Sequence, residues 1–202
     1  MSGRVSLRII GGRSRGRRLR APVGKGVRPT GDRVREALFN IWGQRFDGLR
    51  FLDVCAGTGV VSLEALSRYA AEVVAIEKDS NACRSIRDEA ERMGHSPGLD
   101  VRCGDARVEL RRLRQEGVAR FDAAFVDPPW EDVDLRREIL WILLEAPPLC
   151  RSAAVESPGK ADPPPAPPGA LLSRTVRHGA TTLLYYDDGG VQAGRAGDAE
   201  RG

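Results

Sequence analysis

Phe121-Asp122-Ala123-Ala124-Phe125-Val126-Asp127-Pro128-Pro129-Trp130 is the stretch that decides the fold. Phe121 to Val126 is apolar except for Asp122 and is stopped by two prolines, which predicts a short buried strand. Consecutive prolines fix φ and remove two amide donors, so the chain must leave the sheet in an extended turn. A carboxylate, carbonyls without competing amides and a flat aromatic ring are then held at the strand's C-terminal edge. That set suits a base with an exocyclic amine: Asp127 and the Pro128 carbonyl can accept the amine hydrogens while Trp130 stacks on the ring. The bland alternative is a tight Pro-Pro turn with a packed Trp, and the stretch alone does not choose between them.

Upstream, strands alternate with helices. Strands are predicted at Leu49 to Val54, Glu72 to Ile76 and Leu99 to Cys103, with helices at Val60 to Tyr69, Ser80 to Met93 and Ala106 to Glu116. This alternation predicts an α/β fold with a mostly parallel sheet covered on both faces and ligands beyond the C-terminal strand edges. Downstream come a helix (Asp134 to Leu144) and a short strand (Ala153 to Glu156). A stiff proline-rich surface loop (158–169) and a closing antiparallel hairpin (Arg174 to Arg177 with Thr181 to Tyr186) follow.

Each predicted parallel strand ends in an acid. Asp53 precedes the turn Cys55-Ala56-Gly57-Thr58-Gly59, and Glu77 is followed by Lys78. Asp105 precedes Ala106, and Asp127 closes the row. The glycine turn resembles a dinucleotide fingerprint, but Ser62 stands at the third glycine position. A carboxylate where a pyrophosphate would approach is repulsive, so a cationic ligand such as S-adenosylmethionine fits better. Glu77 can accept ribose hydroxyls, and Asp105 with the Ala106 amide can meet an adenine. Each acid has a bland alternative as a helix cap.

The N-terminus carries the opposite charge. Residues 1–35 hold eleven Lys/Arg against Asp32 alone, or +10, leaving −6 for the remainder of a chain whose net charge is +4. Apolar and basic residues alternate around Gly11-Gly12 and Gly16, which predicts a basic β-ribbon meeting phosphates. Thr30 or Asp32 is expected to cap the helix Arg33 to Trp42. Three regions are expected: a ribbon at 1–30, a catalytic domain at 31–188 and a disordered tail at 189–202.

Taken together, Asp53-x-x-x-Gly57-x-Gly59, Glu77, Asp105 and Asp127-Pro128-Pro129-Trp130 resemble the class I S-adenosylmethionine-dependent methyltransferases of base amino groups. Arg8-Ile9-Ile10-Gly11-Gly12, the run from Arg28-Pro29-Thr30 to Asn40, and Leu63 to Arg68 resemble the bacterial RsmD family over roughly residues 7–187. Gly31 replaces the family's usual second Thr, and Trp130 its usual Phe or Tyr. The resemblance implies a Rossmann-like, seven-stranded sheet and methyl transfer to N2 of a guanine in 16S rRNA, position 966 by resemblance. It also implies a small ribosomal subunit or assembly intermediate as partner, and S-adenosylhomocysteine as product. Asp127, Pro128, Pro129 and Trp130 are the expected catalytic residues. Asp53, Ala56, Gly57, Thr58, Gly59, Glu77, Lys78, Asp105, Ala106 and Asp127 are expected to bind the cofactor. Arg8, Arg13, Arg15, Arg17, Arg18, Arg28, Thr30, Arg33 and Arg35 are expected to bind RNA. The alternatives are an adenine-N6 methyltransferase, a nicotinamide oxidoreductase and a non-catalytic RNA-binding module.

Composition is that of a water-soluble globular chain, with 41% hydrophobic and 30% charged among 202 residues. No apolar run reaches membrane-spanning length and no signal peptide is read, so a cytoplasmic monomer is expected. Cys55, Cys83, Cys103 and Cys150 lie 28, 20 and 47 positions apart, a spacing of neither a disulfide framework nor a metal site, so no metal is expected.

Overall fold

The structure, a computed structural model, describes residues 7–20 and 30–189. In chain order its elements are α1 (Asp32–Trp42), β1 (Arg50–Val54), α2 (Val60–Ser67), β2 (Glu72–Glu77), α3 (Ser80–Met93) and β3 (Leu99–Cys103). Then come α4 (Ala106–Gln115), β4 (Phe121–Val126), α5 (Val133–Leu144), β5 (Cys150–Pro158), β6 (Leu171–His178) and β7 (Thr181–Asp187). The strands form one sheet in the order β3-β2-β1-β4-β5-β7-β6. Strands β1 to β5 run parallel, while β7 is antiparallel to both β5 and β6. This is the Rossmann-like, mostly parallel seven-stranded sheet expected from the sequence. The strand order reverses at β1/β4, which opens the crevice where ligands bind in such sheets.

Period-two alternation divides each strand between two cores and thereby fixes the register. Phe51, Val73, Phe125, Ala154 and Tyr185 meet α1, α2 and the N-terminal ribbon on one face. Leu52, Val54, Ile76, Val126 and Tyr186 meet α4 and α5 on the other. Every residue of α2 is buried, since it lies between the sheet and the ribbon. Among the described residues, no helix is long and apolar enough to cross a membrane.

The ribbon is pinned to this body rather than extended from it. Its two arms pair through Ile9 N–H to the Arg17 carbonyl and Leu19 N–H to the Leu7 carbonyl, both 2.9 Å. Leu7, Ile9 and Leu19 are buried in the α1/α2 core. Gly12, at φ +72°, lies so close to α2 that a Cβ would come within 2.0 Å of the Ser67 carbonyl oxygen, so only glycine fits. Helix α1 starts differently from expectation. Gly31 takes the cap position and, having no side chain, forms no side-chain cap. The Thr30 carbonyl instead accepts from Arg35 Nη1 at 2.7 Å.

The proline-rich segment is more than a surface loop. Strands β5 and β6 run in the same direction, so residues 159–170 return from the upper to the lower edge of the sheet. They do so in extended form, without a helix. Pro164 and Pro167 are buried, Ala166 and Ala170 pack on the α4/α5 core, and the Tyr186 hydroxyl donates to the Pro164 carbonyl at 2.7 Å.

Candidate active site

The upper edge of β1 to β4 borders a cavity of about 660 Å³, within the range of small-molecule sites. Its floor is the β1–α2 turn. Cys55 adopts φ 65°, uncommon for a residue with a Cβ, and Gly57 follows at φ 54°. The turn is held by Ala56 N–H to the Ile76 carbonyl at 2.9 Å, and by Gly57 N–H to Glu77 Oε2 at 2.8 Å. Glu77 Oε1 accepts the Asp79 amide at 2.9 Å. A carboxylate offers about four lone-pair sites, so Glu77 keeps acceptor capacity towards the cavity.

Ala56, Gly57, Thr58, Glu77, Lys78, Asp105, Ala106 and Asp127 line this cavity, together with Pro128, Pro129 and Trp130. Thr30, expected at the RNA, also lines it, as do Cys55, Arg107 and Leu135, which sequence reasoning missed. Leu135 could have been found as the apolar residue in the first turn of α5. Cys55 and Arg107 carry no such signal.

Asp53 and Gly59 do not line the cavity, which corrects their assignment to direct cofactor contact. Asp53 is 1% exposed, and its Oδ2 accepts the Ser62 amide at 2.9 Å and the Ser62 hydroxyl at 2.5 Å, securing the start of α2. Burial raises its pKa to about 6 despite these bonds. Gly59, at φ +70°, faces Ile86, whose Cγ1 would lie 2.5 Å from a Cβ there. Its glycine serves helix packing.

The bland reading of Asp105 is realised alongside the cavity position. Asp105 caps α4 through the Arg107 amide at 2.9 Å and pairs with the Arg107 guanidinium at 2.9 Å, which holds its carboxyl below the usual range. Burial, then Glu77, Asp127 and Asp53, push the Cys55 thiol up to about 12, so it stays protonated and is a poor nucleophile.

The Asp127-Pro128-Pro129-Trp130 turn continues β4, with Asp127 N–H donating to the Val54 carbonyl at 3.2 Å. Behind the turn lies Arg136, 2% exposed, with Nη2 donating to the Trp130 carbonyl at 3.0 Å. Its charge is attracted by Asp127 and Asp132 while burial lowers its pKa.

The arginines expected at RNA divide into three sets. Arg15, Arg18 and Arg33 are exposed, and no hydrogen bond or ion pair holds their side chains among the described residues. Arg8 pairs with Asp32 at 3.1 Å, Arg13 donates to His95 Nδ1 at 2.7 Å, and Arg17 donates to the Arg92 carbonyl, so these are partly committed. Arg35 is a correction. It is fully buried, with Nη2 bonding the Arg8 carbonyl at 2.6 Å and Asp32 at 3.0 Å and its Nε 3.9 Å from buried Glu64, so it cannot reach a phosphate. Arg28 lies outside the described residues.

Comparison with known proteins agrees with this geometry. The family described as conserved hypothetical protein 95 matches residues 7–187. Ribosomal RNA small subunit methyltransferase D of Escherichia coli K12 is 37% identical over 155 residues, 72% of this chain and 74% of that protein. The protein of the same description from Haemophilus influenzae is 33% identical over 146 residues, 69% of this chain and 71% of its own. Among solved structures, the candidate methyltransferase yhhF of Escherichia coli superposes with a TM-score of 0.76 at 30% identity, covering 90% of this chain and 97% of that one.

Proposed function

We propose, on the premise that this chain belongs to the RsmD family of small-subunit ribosomal RNA methyltransferases, that it methylates N2 of a guanine in 16S rRNA, with position 966 as the site. The donor is S-adenosylmethionine, and the substrate is a small subunit or its assembly intermediate. One observation carries the reading: acids from three strand ends line a single cavity that finishes in Asp127-Pro128-Pro129-Trp130. Carboxylates suit a ligand with hydroxyls and a cationic centre and repel a pyrophosphate, which disfavours a nicotinamide cofactor.

Bound S-adenosylmethionine supplies an electrophilic methyl group on its sulfonium. Glu77 accepts the ribose hydroxyls with the lone pairs that Gly57 and Asp79 leave over. Asp105 and the Ala106 amide meet the adenine. Asp127 and the Pro128 carbonyl accept the hydrogens of the guanine N2, whose lone pair is conjugated with the ring, and aim it along the methyl–sulfur axis. Trp130 stacks on the everted base. Positioning contributes most of the acceleration, and an in-line displacement needs no covalent intermediate. Exposed Arg15, Arg18 and Arg33 supply phosphate contacts.

The deciding experiment incubates the protein with labelled S-adenosylmethionine and undermethylated small subunits, then identifies and maps the product nucleoside. N2-methylguanosine is expected. N6-methyladenosine, or tight NAD binding without S-adenosylmethionine binding, would overturn the reading.

A further inference from the structure

Glu156 stands beside Asp127 on the side of β4 away from the cofactor cavity. In the β4/β5 pairing, Phe125 lies opposite Ala154 and Val126 opposite Val155, so Asp127 and Glu156 come next on their strands. Adjacent strands lie about 4.8 Å apart. Phe125 and Ala154 both face the α1/α2 core, and Asp127 and Glu156 follow them by two positions, so the two acids share that face. The Asp127 amide still bonds the Val54 carbonyl, which shows that the strand geometry persists to that residue. Glu156 is 2% exposed and does not line the cofactor cavity.

An in-line transfer puts donor and acceptor on opposite sides of the moving methyl group. The cofactor cavity lies over β1, β2 and β3, with Asp127 on β4 at its margin. The acceptor base therefore belongs over β4 and β5, where Glu156 forms part of the floor. Two carboxylates one strand apart on one face repel each other, and a group with two adjacent donors relieves that repulsion. Guanine has such an edge in N1–H next to the N2 amine. Adenine offers one donor amine beside an N1 lone pair, which a carboxylate rejects.

We propose that Glu156 is the specificity-determining residue that accepts N1–H of the target guanine while Asp127 holds its N2 amine. This rests on the guanine-N2 reading above. A buried carboxylate is well suited to such discrimination, because the wrong base leaves it unpaired in a low-dielectric site.

The test compares guanine with 2-aminopurine, which keeps the N2 amine but has a lone pair at N1. Once the target has been mapped, small subunits are reconstituted with either base at that position, and kcat/KM is measured with wild type and Glu156→Gln. Wild type should prefer guanine by about a hundredfold or more. Glu156→Gln, whose amide can donate to N1, should lose about 10–100-fold on guanine and bring the preference within about tenfold. Its affinity for S-adenosylhomocysteine, read by calorimetry, should not change. An unaltered preference in a folded Glu156→Gln would overturn the proposal, while N2-methylguanosine made by wild type would leave the functional reading intact. Absence of that product from wild type would sink both. Should Glu156→Gln not fold, Glu156→Asp keeps the charge but draws it back by one methylene. Weakened discrimination supports the role, and wild-type discrimination overturns it.

Discussion

The carboxylate rim and the arginine ribbon carry opposite charge, yet each contains residues of one type put to two different uses. On the rim, Glu77, Asp105 and Asp127 face a common cavity, whereas Asp53, at an adjoining strand end, is buried against the start of α2. In the basic segment, Arg33 is exposed, whereas Arg35 two positions later is sealed between the ribbon, α1 and Glu64. A run of charge therefore tells the sign of the partner. Which members meet that partner depends on the face of the strand or helix each one occupies.

The comparison breaks first at Asp127. Asp127→Ala is expected to lower single-turnover methyl transfer by about 10³-fold. Binding of S-adenosylhomocysteine should survive. Comparable losses of turnover and of cofactor affinity would place Asp127 with the cofactor residues instead.

The arginine pair gives the next effect. Arg35→Met leaves Glu64 buried with one cationic neighbour fewer, and is expected to cost about 3–5 kcal/mol in urea unfolding. Arg33→Met should stay within about 0.5 kcal/mol. Equal costs would erase the distinction between them. Conversely, changing Arg15, Arg18 and Arg33 together to Gln should weaken particle binding by about a hundredfold and flatten its salt dependence by about one unit of slope per charge. An unchanged slope would move the RNA contact elsewhere.

The smallest effect concerns the seam between ribbon and body. His95 is 3% exposed, takes Arg13 on Nδ1 and meets the Ser14 hydroxyl at 3.0 Å through Nε2. Arginine can only donate, so Nδ1 is the acceptor and the ring is neutral. Burial, then Arg13 and Arg17, lower its pKa from 6.5 to about 4. Between those values the unfolded chain binds the proton and the folded one does not. Stability from this site is thus full above pH 6.5 and falls as pH drops towards 4. Asp53 works in the opposite sense, since its raised pKa favours the folded state on acidification below about 6. The difference between wild type and His95→Gln isolates the histidine. It should shrink by about 1–2 kcal/mol between pH 7 and pH 4.5.

Much of the fold was legible because strands buried on both faces read as apolar runs with few alternatives. Strands β3 and β4 and helix α3 have the expected bounds, while β5 and β6 extend beyond their predicted cores because hairpin pairing continues past the apolar centre. The glycine turn and the Asp-Pro-Pro-Trp turn were legible because their chemistry is local. The long-range partners were not. Arg35 sits three and four positions before Leu38 and Phe39, on the buried stripe of α1, and that spacing was a usable sign of burial. Glu64 likewise interrupts an otherwise apolar helix, four residues before Arg68, which bonds it at 3.0 Å. Glu156 and Asp127 are 29 positions apart in the chain, and only the strand register brings them side by side.

The proline-rich return between β5 and β6 leaves the sheet with almost no spare chain. Twelve residues of polyproline-like backbone reach roughly 37 Å at about 3.1 Å each. The eight residues of β6 alone extend about 27 Å. A helical return could lengthen by unwinding, but a chain that is already extended cannot. Removing three residues from it would pull the edge strand out of alignment with β7. Insertions would be tolerated far better, which makes this return a ruler that sets where the last two strands come to rest.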